Sequence, residues 1–149
     1  LEGCRWLDLC TGTGAMGAEA LCRGASLVVG IEQSGRACAV IQQNWQQVIR
    51  DDQRIQLIRG DIGQKLPTLA GQNFDRIYFD PPYAGHLYEP VLQAIAHHQL
   101  LTPVGELAVE HDPTLHTAET LAAFIPNSAL ELCRYKRYGN TAIAFYSRR

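Results

Sequence analysis

Apolar residues fall along this chain in short runs and helical stripes that alternate almost from end to end. Residues 5–10 (Arg-Trp-Leu-Asp-Leu-Cys) and 26–31 (Ser-Leu-Val-Val-Gly-Ile) are compact runs of strand length, the second ending at Glu32. Residues 18–23 between them read as a helix. Over residues 34–48, Ala37, Val40, Ile41, Asn44, Trp45 and Val48 recur at helical spacing, with Trp45 expected in the core. A third strand is expected at 55–58, a short helical or looping connection at 64–71, and a fourth strand at 76–79. Tyr88, Val91, Leu92 and Ile95 mark a helix ending near residue 100. Residues 101–105 read as a turn broken by Pro103 and Gly105, before a fifth strand at 106–110. A short helix at 117–124 follows. Two last runs, 130–135 and 141–146, are joined through Tyr138-Gly139-Asn140, which makes them an antiparallel hairpin. Strands alternating with helices and closed by a hairpin predict a three-layer α/β fold with a mostly parallel sheet and one antiparallel strand.

The connection after the first strand carries chemistry. Thr11-Gly12-Thr13-Gly14-Ala15-Met16-Gly17 places G-x-G-x-x-G between a strand and a helix, where glycines permit a tight turn, close ligand approach and close helix packing. Glu32 ends the second strand, where an acid is placed to bind ribose hydroxyls. This β-loop-α-β-acid unit predicts a nucleoside-bearing ligand. The glycine pattern alone does not separate a dinucleotide from S-adenosylmethionine. After the third strand, Asp61 and Ile62 are candidates for the base of the same ligand, with a turn aspartate as the plainer alternative for Asp61.

The fourth strand runs into Asp80-Pro81-Pro82-Tyr83. Two successive prolines remove two backbone donors and fix two φ angles. Each also keeps the residue before it out of the helical region. The result is a rigid, extended lip with free carbonyls and an aromatic ring beside them. Ligands bind at this end of the strands in open α/β sheets. The arrangement suits a planar group bearing an NH₂: Asp80 and the Pro81 carbonyl could accept its hydrogens while Tyr83 stacks on its plane.

Composition narrows the field without choosing a substrate. The chain has 149 residues, 46% hydrophobic and 19% charged, as expected of one domain with a real core. No apolar run approaches a membrane span, so no membrane partner is expected. Five cysteines at irregular spacing form no C-x-x-C pair and suggest neither zinc nor a disulfide framework. They read as small buried apolar residues in a reducing cytoplasm. Net charge is −2, yet residues 130–149 hold five basic side chains against one acid, either a phosphate-contacting patch or a solvated hairpin face. His86, His97 and His98 are expected in surface or capping roles, and Glu110-His111-Asp112 stands as a weaker candidate beside the substrate. The chain begins at Leu1, without methionine and almost on a strand, so a missing leading segment is expected.

Several segments together carry a family resemblance. Asp8-x-x-x-Gly12-x-Gly14 resembles the first motif of class I S-adenosylmethionine-dependent methyltransferases, and Asp80-Pro81-Pro82-Tyr83 resembles the (D/N/S)PPY motif of their amino-group enzymes. With Glu19-Ala20-Leu21, Arg23-Gly24-Ala25, Phe74-Asp75 and the ending Tyr138-Gly139 through Phe145-Tyr146, the whole chain resembles the RsmD-type family. That resemblance implies the seven-stranded Rossmann-like sheet order 3-2-1-4-5-7-6. It implies S-adenosylmethionine as cofactor and methylation of the exocyclic N2 of one guanine in small-subunit (16S) ribosomal RNA. The partner is then that RNA within the small subunit or an assembly intermediate, met by a cytoplasmic monomer. By residue, it implies cofactor contacts from Asp8, Cys10, Thr11, Gly12, Gly14, Gly17, Glu32, Gln33, Asp61 and Ile62. Catalysis falls to Asp80, Pro81, Pro82 and Tyr83, with no metal and no nucleophilic residue. Two departures stand out: the family's N-terminal extension is absent, and Cys10 and Thr11 replace the usual phenylalanine and alanine. The motif leaves other acceptors open: adenine N6 or cytosine N4 in DNA, or a protein glutamine. The glutamine enzymes more often carry Asn at the position of Asp80. A cofactor-binding module without turnover is the non-enzymatic alternative, and a nicotinamide oxidoreductase would leave Asp80-Pro81-Pro82-Tyr83 without a role.

Overall fold

The computed structural model describes residues 2–9, 12–82 and 86–149, apart from the side chain of Ser128. Cys10, Thr11 and Tyr83, three of the sequence-predicted site residues, lie outside the described residues.

Seven strands form one sheet: β1 (Arg5–Leu9), β2 (Leu27–Glu32), β3 (Arg54–Arg59), β4 (Phe74–Phe79), β5 (Leu101–His111), β6 (Leu130–Tyr138) and β7 (Thr141–Arg148). Their order is β3-β2-β1-β4-β5-β7-β6, as the resemblance implied. β1 to β5 pair in parallel, and β7 runs antiparallel to both β5 and β6. The sheet is thus mostly parallel with one reversed strand. The helices are α1 (Ala15–Cys22), α2 (Gly35–Val48), α3 (Ile62–Lys65), α4 (Tyr88–His97) and α5 (Ala118–Ala123), with 3₁₀ turns at Leu66–Leu69 and Pro126–Ser128.

Side-chain alternation sorts the strands between two cores. Leu7, Leu9, Val29, Ile31, Ile77, Phe79, Leu107 and Val109 pack on one face beneath α3, α4 and α5. On the other face, Trp6 and Val28 meet Ala20, Leu21, Ile41 and Trp45 of α1 and α2. These two helices cover the β3-β2-β1 half of that face. Beyond them, Tyr78, Ala108, Ile143 and Phe145 border a hollow of about 240 Å³ edged by Trp6 and Met16.

Four expectations need correction. α1 begins at Ala15, three residues before the expected start, because Gly14 at φ 78° turns the chain straight into helix. Residues 101–105 belong to β5 rather than to a free turn. Leu101 pairs with Phe74, and the register then slips so that Glu106 faces Arg76. Pro103 and Gly105 mark that slip, the tolerated place for residues that weaken a ladder. On α2, Ile41 and Trp45 are buried but Val40 is 42% exposed, so the stripe is narrower than its spacing suggested. The four described cysteines are not buried: Cys22 and Cys133 are exposed and Cys4 and Cys38 half-buried, all as free thiols. Helix α1 is short enough that Cys22, its last residue, faces out, and Cys133 sits in the register shift of edge strand β6.

Candidate functional site

The sequence-predicted residues that the structure describes gather at the edge formed by the C-terminal ends of the parallel strands. A cavity of about 600 Å³ opens there, lined by Gly12, Glu32, Gln33, Asp61, Ile62, Asp80, Pro81 and Pro82, with Ile31, Gly60 and Leu87. Eight of the expected residues therefore share one wall. Asp8, Gly14 and Gly17 lie behind it.

Those three residues build the support. Gly14 and Gly17 face Trp45, whose indole Nε1 donates to the Gly14 carbonyl at 2.8 Å. A Cβ on Gly17 would stand 2.6 Å from Trp45 Cζ2, and one on Gly14 2.8 Å from Trp45 Nε1. The glycines thus let α2 close against the loop. Gly12 differs: at φ 61° it has nothing within 4 Å of where a Cβ would project, so its bare backbone faces space at the cavity. Trp45 is core, as expected, but core in direct contact with the motif.

The acids of this half are held by backbone donors. Glu32 accepts from Gly12 N at 3.2 Å and from Ser34 N at 3.0 Å, tying the glycine loop to the start of α2. Asp61 caps α3 by accepting from Gly63 N at 3.1 Å, so the turn reading and the cavity-lining reading both hold. Asp8 is 2% exposed beneath the loop. One of its oxygens accepts from the Gly17 N–H, and Oδ2 has no partner among the described residues. Burial lifts its carboxyl to about 7, against the pull of the Gly17 N–H and helped by the charges of Asp80 and Glu32.

The β4–β5 side of the edge is different. Asp80 follows β4 and accepts no hydrogen bond among the described residues. Pro81 is buried behind it and Pro82 is exposed. Burial first, and the neighbouring Glu110 second, raise the Asp80 carboxyl to about 6. Glu110 near the end of β5 accepts a hydrogen bond from the Tyr78 hydroxyl, and its backbone carbonyl accepts from Tyr88 Oη at 2.8 Å. Burial and that bond push the Tyr78 hydroxyl up, so it stays a donor.

Of the Glu110-His111-Asp112 candidate, only Glu110 stands on the Tyr78 face. His111 is fully buried, with Nδ1 3.1 Å from the Val109 carbonyl, and burial lowers its pKa. Asp112 holds a turn by accepting from Thr114 N at 2.9 Å and Thr114 Oγ1 at 2.7 Å. His86 and His97 are exposed and His98 is half-buried, as the surface reading expected. The basic C-terminal segment is partly consumed within the fold. Arg134 pairs with Glu106 at 2.6 Å and lies 4.1 Å over the Phe145 ring, and Arg149 reaches Glu131 at 3.6 Å. Sequence reasoning missed Tyr78 and the scaffolding role of Trp45. The first had a signal, since Tyr78 precedes Asp80 by two residues and alternation puts both on one face.

Comparison with known proteins agrees with this fold. The family described as "Conserved hypothetical protein 95" matches residues 1–147. A Bacillus subtilis (strain 168) protein named "Putative rRNA methyltransferase YlbH" is 29% identical over 150 residues, covering 99% of this chain and 78% of that protein. A solved conserved hypothetical protein of Streptococcus pyogenes superposes with a TM-score of 0.84 at 28% identity, over 100% of this chain and 88% of its own. A solved structure described as "SMU.776, a putative methyltransferase complexed with SAH" shares the fold at a TM-score of 0.79 and 13% identity, over 97% of this chain and 45% of its own. The match over 147 of the 149 residues settles the family: this chain belongs to conserved hypothetical protein 95, the RsmD-type family that its motifs resemble.

Proposed function

We propose that residues 1–149 form one methyltransferase domain that carries a methyl group from S-adenosylmethionine to the exocyclic N2 of a guanine in 16S ribosomal RNA. The observation that carries this reading is the single cavity wall shared by Gly12, Glu32, Asp61 and Asp80-Pro81-Pro82. A nucleoside site and an amine-accepting lip open onto the same space. The family and the YlbH relative support the methyl-transfer class and the RNA acceptor, and the SAH bound to SMU.776 supports the cofactor.

The residues present fit that cofactor. Gly12 leaves bare backbone where a side chain would block approach. Glu32 has lone pairs beyond the two it gives to backbone N–H groups, suited to a ribose diol. Asp61 and Ile62 offer an acceptor and an apolar surface for a purine, and Gln33 completes the wall. Asp8 holds the loop from below. When bound, the cofactor supplies a methyl group made electrophilic by a positively charged sulfur.

The chain's own residues then position the acceptor. Asp80 and the Pro81 carbonyl accept hydrogen bonds from the two N–H groups of the amine, reducing conjugation of its lone pair with the ring and directing that pair at the methyl carbon. Tyr83 stacks on the base. As the nitrogen–carbon bond forms, the bond from that carbon to the cofactor's sulfur would break, with S-adenosylhomocysteine as the neutral leaving group; the amine becomes positively charged, and its proton leaves to Asp80 or to water. Positioning provides most of the acceleration. The base must be unpaired or extruded to reach this lip. The mechanism uses no metal and no protein nucleophile, and the proposed setting is a cytoplasmic monomer acting on the small subunit or an assembly intermediate.

Transfer of a labelled methyl group from S-adenosylmethionine to small ribosomal subunits from cells lacking the gene tests the reading. Label at one guanine N2 is the expected result. Label on DNA or protein substrates instead, or none on any acceptor despite cofactor binding, would overturn it.

A further inference from the structure

We infer that Glu110 accepts the N1 proton of the target base, so that Asp80 and Glu110 together select guanine by its pair of adjacent donors. This deepens the proposed function and rests on its guanine acceptor.

The placement follows from register. Phe79 pairs with Val109 across the parallel β4–β5 ladder, and Tyr78 with Ala108. Asp80, directly after β4, and Glu110, within β5, are the next residues along each chain, and neighbouring strands lie about 4.8 Å apart. Two-residue alternation sets both on the face of Tyr78 and Ala108, the half that α1 and α2 leave open. The Tyr78 hydroxyl donates to the Glu110 carboxylate from the preceding position and fixes it. A carboxylate has about four lone-pair directions, so Glu110 can accept from several donors at once, the Tyr78 hydroxyl among them. The two acids also sense each other, since Glu110 helps to raise Asp80. Asp80 lines the cofactor cavity and Glu110 stands on its far side, away from β1.

Two neighbouring acceptors need a target edge with two neighbouring donors. Guanine offers its N2 amine beside N1–H. Adenine N6 lies beside N1 and cytosine N4 beside N3, and both ring nitrogens carry a lone pair instead of a proton. A glutamine amide likewise sets its NH₂ beside a carbonyl oxygen. For these three groups Glu110 would face a lone pair, a repulsive contact that a site built for hydrogen bonding discriminates strongly against. The motif around Asp80 recognises an amine, and Glu110 supplies the distinction between amines that the motif lacks.

The test uses small subunits reconstituted with 16S RNA carrying either guanine or 2-aminopurine at the mapped target. 2-Aminopurine keeps the N2 amine but has an unprotonated N1. The wild-type protein is expected to favour guanine by about 30- to 100-fold in kcat/KM, the scale of a charge-assisted hydrogen bond. Glu110→Gln, which can turn an amide N–H toward N1, is expected to bring the two substrates within about threefold or invert them. Tyr78→Phe removes the bond to Glu110 and is expected to slow transfer while keeping the preference for guanine. A wild-type ratio near one overturns the inference even if Glu110→Gln does not fold, and so does a Glu110→Gln ratio equal to that of wild type. Wild-type transfer to neither substrate overturns the guanine acceptor itself, and this inference with it.

Discussion

The two halves of the sheet edge treat their carboxylates differently. In the β3-β2-β1 half, every acid has a backbone N–H: Glu32 takes those of Gly12 and Ser34, Asp61 that of Gly63, Asp8 that of Gly17. In the β4–β5 half, Asp80 accepts none among the described residues, and Glu110 takes the hydroxyl of a side chain, Tyr78. The first half is also roofed by α1 and α2, whereas the same face of the second half borders an open hollow. Acids fixed by backbone donors make a preformed cleft for a ligand that always has the same shape. Asp80, with no hydrogen bond among the described residues and its carboxyl raised to about 6, would under the proposed function suit a base that arrives from solvent and brings its own hydrogens. Under the proposed function one half holds the cofactor and the other receives the base, and Asp80 stands where they meet.

Substitutions can pull these halves apart. The largest expected effect is on the receiving side: Asp80→Ala should lower single-turnover methyl transfer by about a thousandfold or more, the loss of a positioned acceptor at the reacting centre. S-adenosylhomocysteine affinity by calorimetry should change only a few-fold, since Glu32, Asp61 and Gly12 remain. On the holding side, Gly17→Ala should destabilise the fold by roughly 3 kcal/mol in urea denaturation, because its Cβ would meet Trp45 at 2.6 Å inside a packed layer. Cofactor affinity should fall with it.

Asp8→Asn gives a smaller, pH-dependent effect. A carboxyl raised to about 7 contributes stability that is fully present below its ordinary value of 3.8 and is lost as pH rises through about 7. The neutral amide escapes that loss. The variant should therefore be more stable than wild type at pH 8, by on the order of 2 kcal/mol. The difference should shrink as the pH falls and vanish near about pH 4. Urea midpoints that differ equally, or not at all, at the two pH values would refute the buried-charge account of Asp8. The smallest effect belongs to Arg134→Ala, which removes an exposed pair with Glu106 and a contact with Phe145. Thermal melting should register about 0.5 kcal/mol or less.

The contrast between the halves also explains what the sequence made legible. The holding half is written in local signals: Gly12, Gly14 and Gly17 at fixed spacing, Glu32 ending a strand, Asp61 starting a turn. Strand order came from resemblance, and no periodicity in residues 130–149 places β7 between β5 and β6. The partnership of Gly17 with Trp45 spans two helices, so neither residue reveals it alone. Within Glu110-His111-Asp112, three polar residues in a row look equivalent until the sheet is assembled. Alternation then sends His111 into the core and leaves Glu110 beside Asp80. The early start of β5 at Leu101 was hidden by Pro103 and Gly105, which signal a break that the ladder absorbs as a register slip. The exposed Cys22 and Cys133 show that an odd, unpaired cysteine count does not itself imply burial.

The central claim is that Asp80 joins the two halves by accepting the hydrogens of the acceptor amine as a carboxylate. It is tested most directly by the pH dependence of kcat/KM for the RNA substrate, with saturating S-adenosylmethionine, in wild type and Asp80→Asn. The ionised Asp80 accepts more strongly than its protonated form and can also take the departing proton, so the wild-type rate should climb with pH through a midpoint near 6 and then level off. Asp80→Asn, which presents an uncharged acceptor, should be slower and lack that limb. The same limb in both proteins, or an Asp80→Asn that transfers at the wild-type rate, would contradict the account.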